Sequence, residues 1–168
     1  QLHEIIVVDA NSNDNTVAIA EQYDCLVIQS AIKRRSVQLD MGGNIASGDW
    51  LFFLHADSIP PNSFLNDISS IQSQKANASC FRMKFDPSNA FLRFFEMFVG
   101  IPWLICRGGD QGLVIKNTVY RAIGGFNTAL HVMEDIDIIA RLKKNKERFV
   151  ILQTRIKTSS RAYEQYGN

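Results

Sequence analysis

Three short stretches hold side chains able to do chemistry. After the apolar run "EIIVVDA" stand Asp9, Asn11, Ser12, Asn13 and Asp14; after "GDWLFFLHAD" stand His55, Asp57 and Ser58; Glu134 and Asp135 open "MEDIDIIARL". Two carboxylates and an imidazole gathered at strand ends suit a hard divalent cation such as Mn²⁺ or Mg²⁺ when phosphate oxygens complete its shell. Each segment alone also has a structural reading. Asp and Asn cap turns and helices, and acidic residues in a first helical turn complement the helix dipole. Taken together, the first two stretches favour a site.

The elements that must position these residues follow from periodicity. "EIIVVDA" reads as a buried strand because Ile5 to Val8 form a continuous β-branched run. The turn formers "NSNDNT" follow, then a short helix from Thr16 to Tyr23 with Val17, Ala20 and Tyr23 inward. "CLVIQ" is a second strand, residues 35 to 46 a helix weakened by Gly42-Gly43, and "GDWLFFLHAD" a third strand. Pro60-Pro61 open a helix with Phe64, Leu65, Ile68 and Ile71 on its apolar face. "ASCFRMKFD" alternates like a half-exposed strand. "QGLVIKN" is a strand, "NTVYRAIGGF" a helix closed by glycines, and "MEDIDIIARLKKN" an amphipathic helix with Ile136, Ile139 and Leu142 inward. Leu152 to Lys157 add a last strand. Strand, helix, strand, helix, strand predicts an α/β fold with an open, mostly parallel sheet flanked by helices. Ligands of such sheets bind beyond the carboxyl ends of the strands, which places Asp9 and Asp57 at one edge of one sheet.

Composition narrows the function. The chain has 168 residues, the length of a single domain, and a net charge of +1, which gives no electrostatic case for nucleic acid. Cys25, Cys80 and Cys106 form no C-x-x-C pair, which argues against zinc and for buried thiols in a reducing, cytoplasmic setting. The phosphate-binding P-loop, the dinucleotide fingerprint G-x-G-x-x-G and the hydrolase elbow G-x-S-x-G are all absent. "FLRFFEMFVGIPWLIC" is interrupted by Arg93, Glu96, Gly100 and Pro102, so it reads as a core or lid helix ahead of a peripheral membrane contact. Such a contact would put the chain at the inner face of the membrane and suit a lipid-linked acceptor.

"IIVVDANSNDNT" resembles the strand and turn "VVDxxSxDxT" of family 2 glycosyltransferases, which have the GT-A fold. "GDWLFFLHADSIPP" resembles their D-x-D-like metal segment, and "GGFN" followed by "MEDIDIIARL" resembles their Gly-Gly-Phe segment and Glu-Asp motif. The variants "RRSVQLDMGG", "FLHADS", "GGDQG", "MEDID" and "TSSRAYEQYG" resemble one bacterial subgroup of these enzymes. The resemblance spans nearly the whole chain.

It implies transfer of a sugar from a nucleotide-sugar to an acceptor hydroxyl, with inversion and a divalent metal. On this reading Asp9, with Asn11, Ser12 and Asp14, contacts the nucleotide, and Arg34 or Arg35 neutralises the diphosphate. Asp57 holds the metal. His55 takes the place where the common motif has Asp, which removes one carboxylate from the metal shell. Asp135, ahead of Glu134, is the general base. Gly108, Gly109, Asp110 and Gln111 lie by the sugar or acceptor. The family begins with an earlier strand and continues beyond "SSRAYEQYGN", so the sequence reads as a fragment, with a homo-oligomer expected if a second copy pairs with the open strand edge. Two further readings are a non-catalytic nucleotide-sugar-binding or assembly module, suggested by His55, and a nucleotidyltransferase, disfavoured by the missing Gly-rich loop.

Overall fold

The computed structural model describes residues 2–86 and 111–159. The apolar stretch 91–106, Cys106, Gly108, Gly109, Asp110 and the "RAYEQYG" ending lie outside the described residues. Seven strands and five helices are described: β1 (Ile6–Asp9), α1 (Thr16–Gln22), β2 (Leu26–Gln29), α2 (Arg35–Ile45), β3 (Trp50–Phe53), β4 (Ser58–Ile59), α3 (Phe64–Ser73), β5 (Ala78–Asp86), β6 (Leu113–Lys116), α4 (Asn117–Ala122), α5 (Glu134–Lys144) and β7 (Phe149–Ser159).

The strands form two sheets. β1 and β2 pair in parallel, with Ile6 opposite Leu26 and Asp9 opposite Gln29. The other sheet has the order β3-β6-β5-β7-β4. There β5 and β7 are parallel, while β3–β6, β5–β6 and β4–β7 are antiparallel. The α/β class stands and the arrangement is mixed. Asp9 and Asp57 do not share a sheet, contrary to the strand-by-strand expectation, because β3 takes its hydrogen bonds from β6, far later in the chain.

Position in the sheets explains the other departures. β1 is only half-buried, and Ile5 is 46% exposed, because its sheet has two described strands. β5 lies between β6 and β7, so Ala78 to Phe81 are buried on both faces and only the later residues alternate. A register shift between Cys80 and Arg82 marks the change. Pro60 and Pro61 follow the two-residue β4, and α3 starts only after a turn in which the Phe64 N–H donates to the Pro61 carbonyl. Tyr23 lies outside α1 and is 73% exposed, leaving Ala20 as that helix's buried residue. In α5 Ile138, rather than Ile136, joins Ile139 and Leu142 in the core.

Two apolar clusters hold the structure. One joins Leu51, Ile115, Tyr120, Phe126, Ile138 and Leu142, with Ile6 packed against it. The other joins Ile71, Phe81, Val114, Leu152 and Ile156 on the opposite side. The two glycines that weaken α2 in the sequence have a packing reason. A Cβ on Gly43 would sit 2.5 Å from the Tyr120 hydroxyl oxygen, so only glycine lets Tyr120 reach the helix.

Candidate active site

Asp9 is the last residue of β1 and is 4% exposed. The Ser12 N–H donates to both of its carboxylate oxygens, at 3.3 and 3.1 Å. Hydrogen bonds from the Ser12 side chain and backbone, and from Gln29, hold the Asp9 carboxyl below the usual carboxylate range. Asn11 makes the turn possible with φ 56, a left-handed conformation that Asn tolerates better than most residues. An ionised carboxylate at a strand end can accept hydrogen bonds from hydroxyls or base N–H groups. Asp14 accepts from the Thr16 backbone and hydroxyl, which depresses its pKa and ties it to the first residue of α1.

His55 and Asp57 stand on the turn after β3, closed by the Ser58 N–H donating to the His55 carbonyl at 3.0 Å. The Asp57 carbonyl accepts from the Ser159 N–H at 3.2 Å, and the Ser58 hydroxyl donates to the Thr158 hydroxyl at 3.0 Å, so β7 anchors the turn. The Asp57 residue is exposed and His55 half-buried. Among the described residues no group of three metal-ligating side chains exists. The turn therefore fits a cation only as part of a shell that phosphate oxygens and water complete.

Glu134 and Asp135 open α5, after Met133 in a left-handed conformation at φ 65. Both carboxylates are buried, Glu134 at 0% and Asp135 at 8% exposure. The Arg35 Nε–H donates to Glu134 Oε1. The neighbours of Arg35 hold the same segment: Arg34 Nη1 donates to the Thr128 carbonyl at 2.8 Å, and the Ser36 hydroxyl to the Leu130 carbonyl at 2.6 Å. Farther along α2, Asp40 Oδ1 accepts from the Tyr120 hydroxyl at 2.9 Å and from the Phe126 N–H at 3.0 Å. Burial and the adjacent Asp40 carboxylate raise the Tyr120 phenol well above its ordinary value. On the other side of α2, Gln38 Nε2 donates to the Val8 carbonyl at 2.9 Å, next to Asp9. One helix thus bonds both to the strand carrying Asp9 and to the segment carrying Glu134 and Asp135.

Gln111 is 3% exposed and accepts from the Cys80 thiol at 3.2 Å, which ties it to β5. Cys80 is buried, whereas Cys25 is only partly so. Sequence reasoning passed over Ser36, Gln38 and Asp40. Ser36 and Asp40 are four residues apart, the spacing that puts two polar groups on one helix face, and that signal was readable.

A sequence model of glycosyl transferase family 2 matches residues 1–131. The chain belongs to glycosyl transferase family 2. The match stops before α5 and β7, which lie outside it. TarS 1–349 of S. aureus in complex with UDP-GlcNAc has a TM-score of 0.75 at 17% identity, over 93% of this chain and 49% of that one. The mannosyltransferase PcManGT from Pyrobaculum calidifontis, in complex with GDP-Man and Mn²⁺, has a TM-score of 0.74 at 16% identity, over 97% of this chain and 50% of that one. The α/β arrangement is therefore that of GT-A glycosyltransferases, and the chain spans about half the length of these proteins. No curated protein sequence matches significantly. Among the described residues no helix is long and apolar enough to cross a membrane.

Proposed function

We propose that this chain carries the donor site and general base of a glycosyltransferase that moves a sugar from a nucleotide-sugar to an acceptor hydroxyl. The observation that carries the reading is the burial of two adjacent carboxylates, Glu134 and Asp135, at the start of α5. Acidic residues in a first helical turn complement the dipole from the surface, so the burial of both is more than the helix requires. A carboxylate near an acceptor hydroxyl supplies base catalysis, and Asp135 takes that role. Direct attack by the deprotonated hydroxyl on the anomeric carbon, with the nucleoside diphosphate leaving from the opposite face, inverts that centre.

Asp9 orients the nucleotide through its ionised carboxylate, with the Asn11–Ser12 turn around it. Asp57 and His55 would hold Mn²⁺ or Mg²⁺ together with diphosphate oxygens, and the ion would neutralise charge on the leaving group. Mn²⁺ in the mannosyltransferase complex supports that choice. The complexes with UDP-GlcNAc and GDP-Man make those two donors the first to try.

The test is calorimetry of UDP-GlcNAc and GDP-mannose with and without Mn²⁺, on the wild type and Asp57→Ala. Binding is expected to need the ion and to fall at least tenfold in the variant. Binding of equal strength with EDTA and in Asp57→Ala would remove the metal from the scheme. No binding of any common nucleotide-sugar would end the proposal.

A further inference from the structure

We propose that Arg35 is a positioning residue for the carboxylate pair and does not bind the donor diphosphate. This rests on the glycosyltransferase reading above. Arg34, Arg35 and Ser36, at the entry to α2, grip one segment at Thr128, Glu134 and Leu130. The partners lie 94 to 99 residues away in sequence, so the grip is tertiary.

Glu134 explains why one of the three contacts is ionic. Its side chain is fully buried, Oε1 accepts from Arg35, and Oε2 has no hydrogen-bond partner. Burying such a group is costly without an opposite charge beside it, and arginine supplies one in a fixed fork geometry. With Glu134 committed to Arg35, the proton of the acceptor hydroxyl goes to Asp135. The strained Met133 directly before the pair needs the same restraint, because a non-glycine residue at φ 65 persists only where its surroundings over-determine it. The guanidinium that looks in the sequence like a phosphate ligand is thus part of the base's scaffold.

The test is a cycle of Arg35→Met, Glu134→Gln and the double variant, with Arg35→Lys as the conservative control. Three readouts are thermal unfolding, calorimetry of UDP and GDP with Mn²⁺, and nucleotide release from UDP-GlcNAc and GDP-mannose. Arg35→Met is expected to lower the unfolding midpoint, and the double variant to recover most of it, because the neutral amide introduced by Glu134→Gln needs no cation. Nucleotide affinity and donor KM stay within threefold, while kcat falls tenfold or more and Arg35→Lys restores part of it. Additive midpoints would overturn the proposal. So would a tenfold loss of UDP and GDP affinity in Arg35→Met, which would make Arg35 a diphosphate ligand. A loss of kcat in Glu134→Gln as deep as in Asp135→Asn would also overturn it. If the wild type neither binds nor cleaves any donor, the glycosyltransferase reading fails, and the midpoint cycle alone decides whether Arg35 holds Glu134.

Discussion

The β1–β2 half and the five-stranded half solve the problem of placing a carboxylate in different ways. Asp9 is held by a residue three positions away, and the strands around it are thinly covered, with Ile5, Ile19, Tyr23 and Leu26 all exposed. Glu134 is held by a residue 99 positions away and stands beside a core in which Tyr120, Ile138 and Leu142 are fully buried. The first half builds its geometry from a local turn, the second from long-range packing. A donor nucleotide can settle into a locally made turn. A base must be fixed against the reacting atoms, where small displacements are costly.

The sharpest way to separate the halves is by kinetics. Asp135→Asn is expected to lower kcat by roughly 10²–10⁴-fold with donor KM little changed. Asp9→Asn is expected to act mainly on donor KM. Steady-state kinetics that show the same kcat and KM pattern for both would dissolve the distinction.

Stability gives the next contrast. Ile138→Ala should cost about 2–5 kcal/mol, as buried large-to-small changes do. Leu26→Ala, half exposed on β2, should cost under about 1 kcal/mol. Urea unfolding measures both, and equal costs would show that the thin half is better packed than its exposure suggests. A smaller effect, about 0.5–1.5 kcal/mol, is expected for Tyr120→Phe, which removes one hydrogen bond to Asp40 and leaves the ring in place.

The smallest effect is acid sensitivity, and it belongs to the thin half. Glu4, Asp9 and Asp14 all have folded pKa values below the ordinary carboxylate value, Glu4 chiefly through the backbone N–H of Ser47. A depressed folded pKa adds stability above the unfolded value of about 4, and that stability is lost as the pH falls through the folded values. Melting between about pH 7 and about pH 2 is expected to show a falling midpoint in that window, blunted in a Glu4→Gln, Asp14→Asn double variant. An unchanged slope would mean that other carboxylates carry the acid transition.

Much of the element order was legible because it is written locally. Thr16 and Arg35 do begin helices, and the Gly124-Gly125 pair does close α4, both glycines having positive φ. The division into two sheets was not legible, because nothing in "WLFF" says that its partner is "LVIK" in antiparallel register. β4 was missed because two residues carry no period. At the site, the residues of the strand-end turns and of the α5 start could be named from type and position. For α2 the spacing of Ser36 and Asp40 marks a shared polar face, but its partners at Val8, Tyr120, Phe126, Thr128, Leu130 and Glu134 are fixed by folding rather than by spacing.

The contact between Gly43 and the tip of Tyr120 also bears on how this sequence can drift. A glycine inside a helix forgoes up to about 1 kcal/mol relative to alanine, so local propensity favours replacing Gly43 in the last turn of α2. Yet any side chain there meets the phenol that reaches Asp40, and through Asp40 the Phe126 backbone on the way to Glu134. In a saturation library selected for activity, position 43 should admit glycine almost alone, while exposed neighbours in the same helix, such as Asn44, vary widely. The last turn of α2 would then carry one of the narrowest alphabets in the chain, although it touches no substrate.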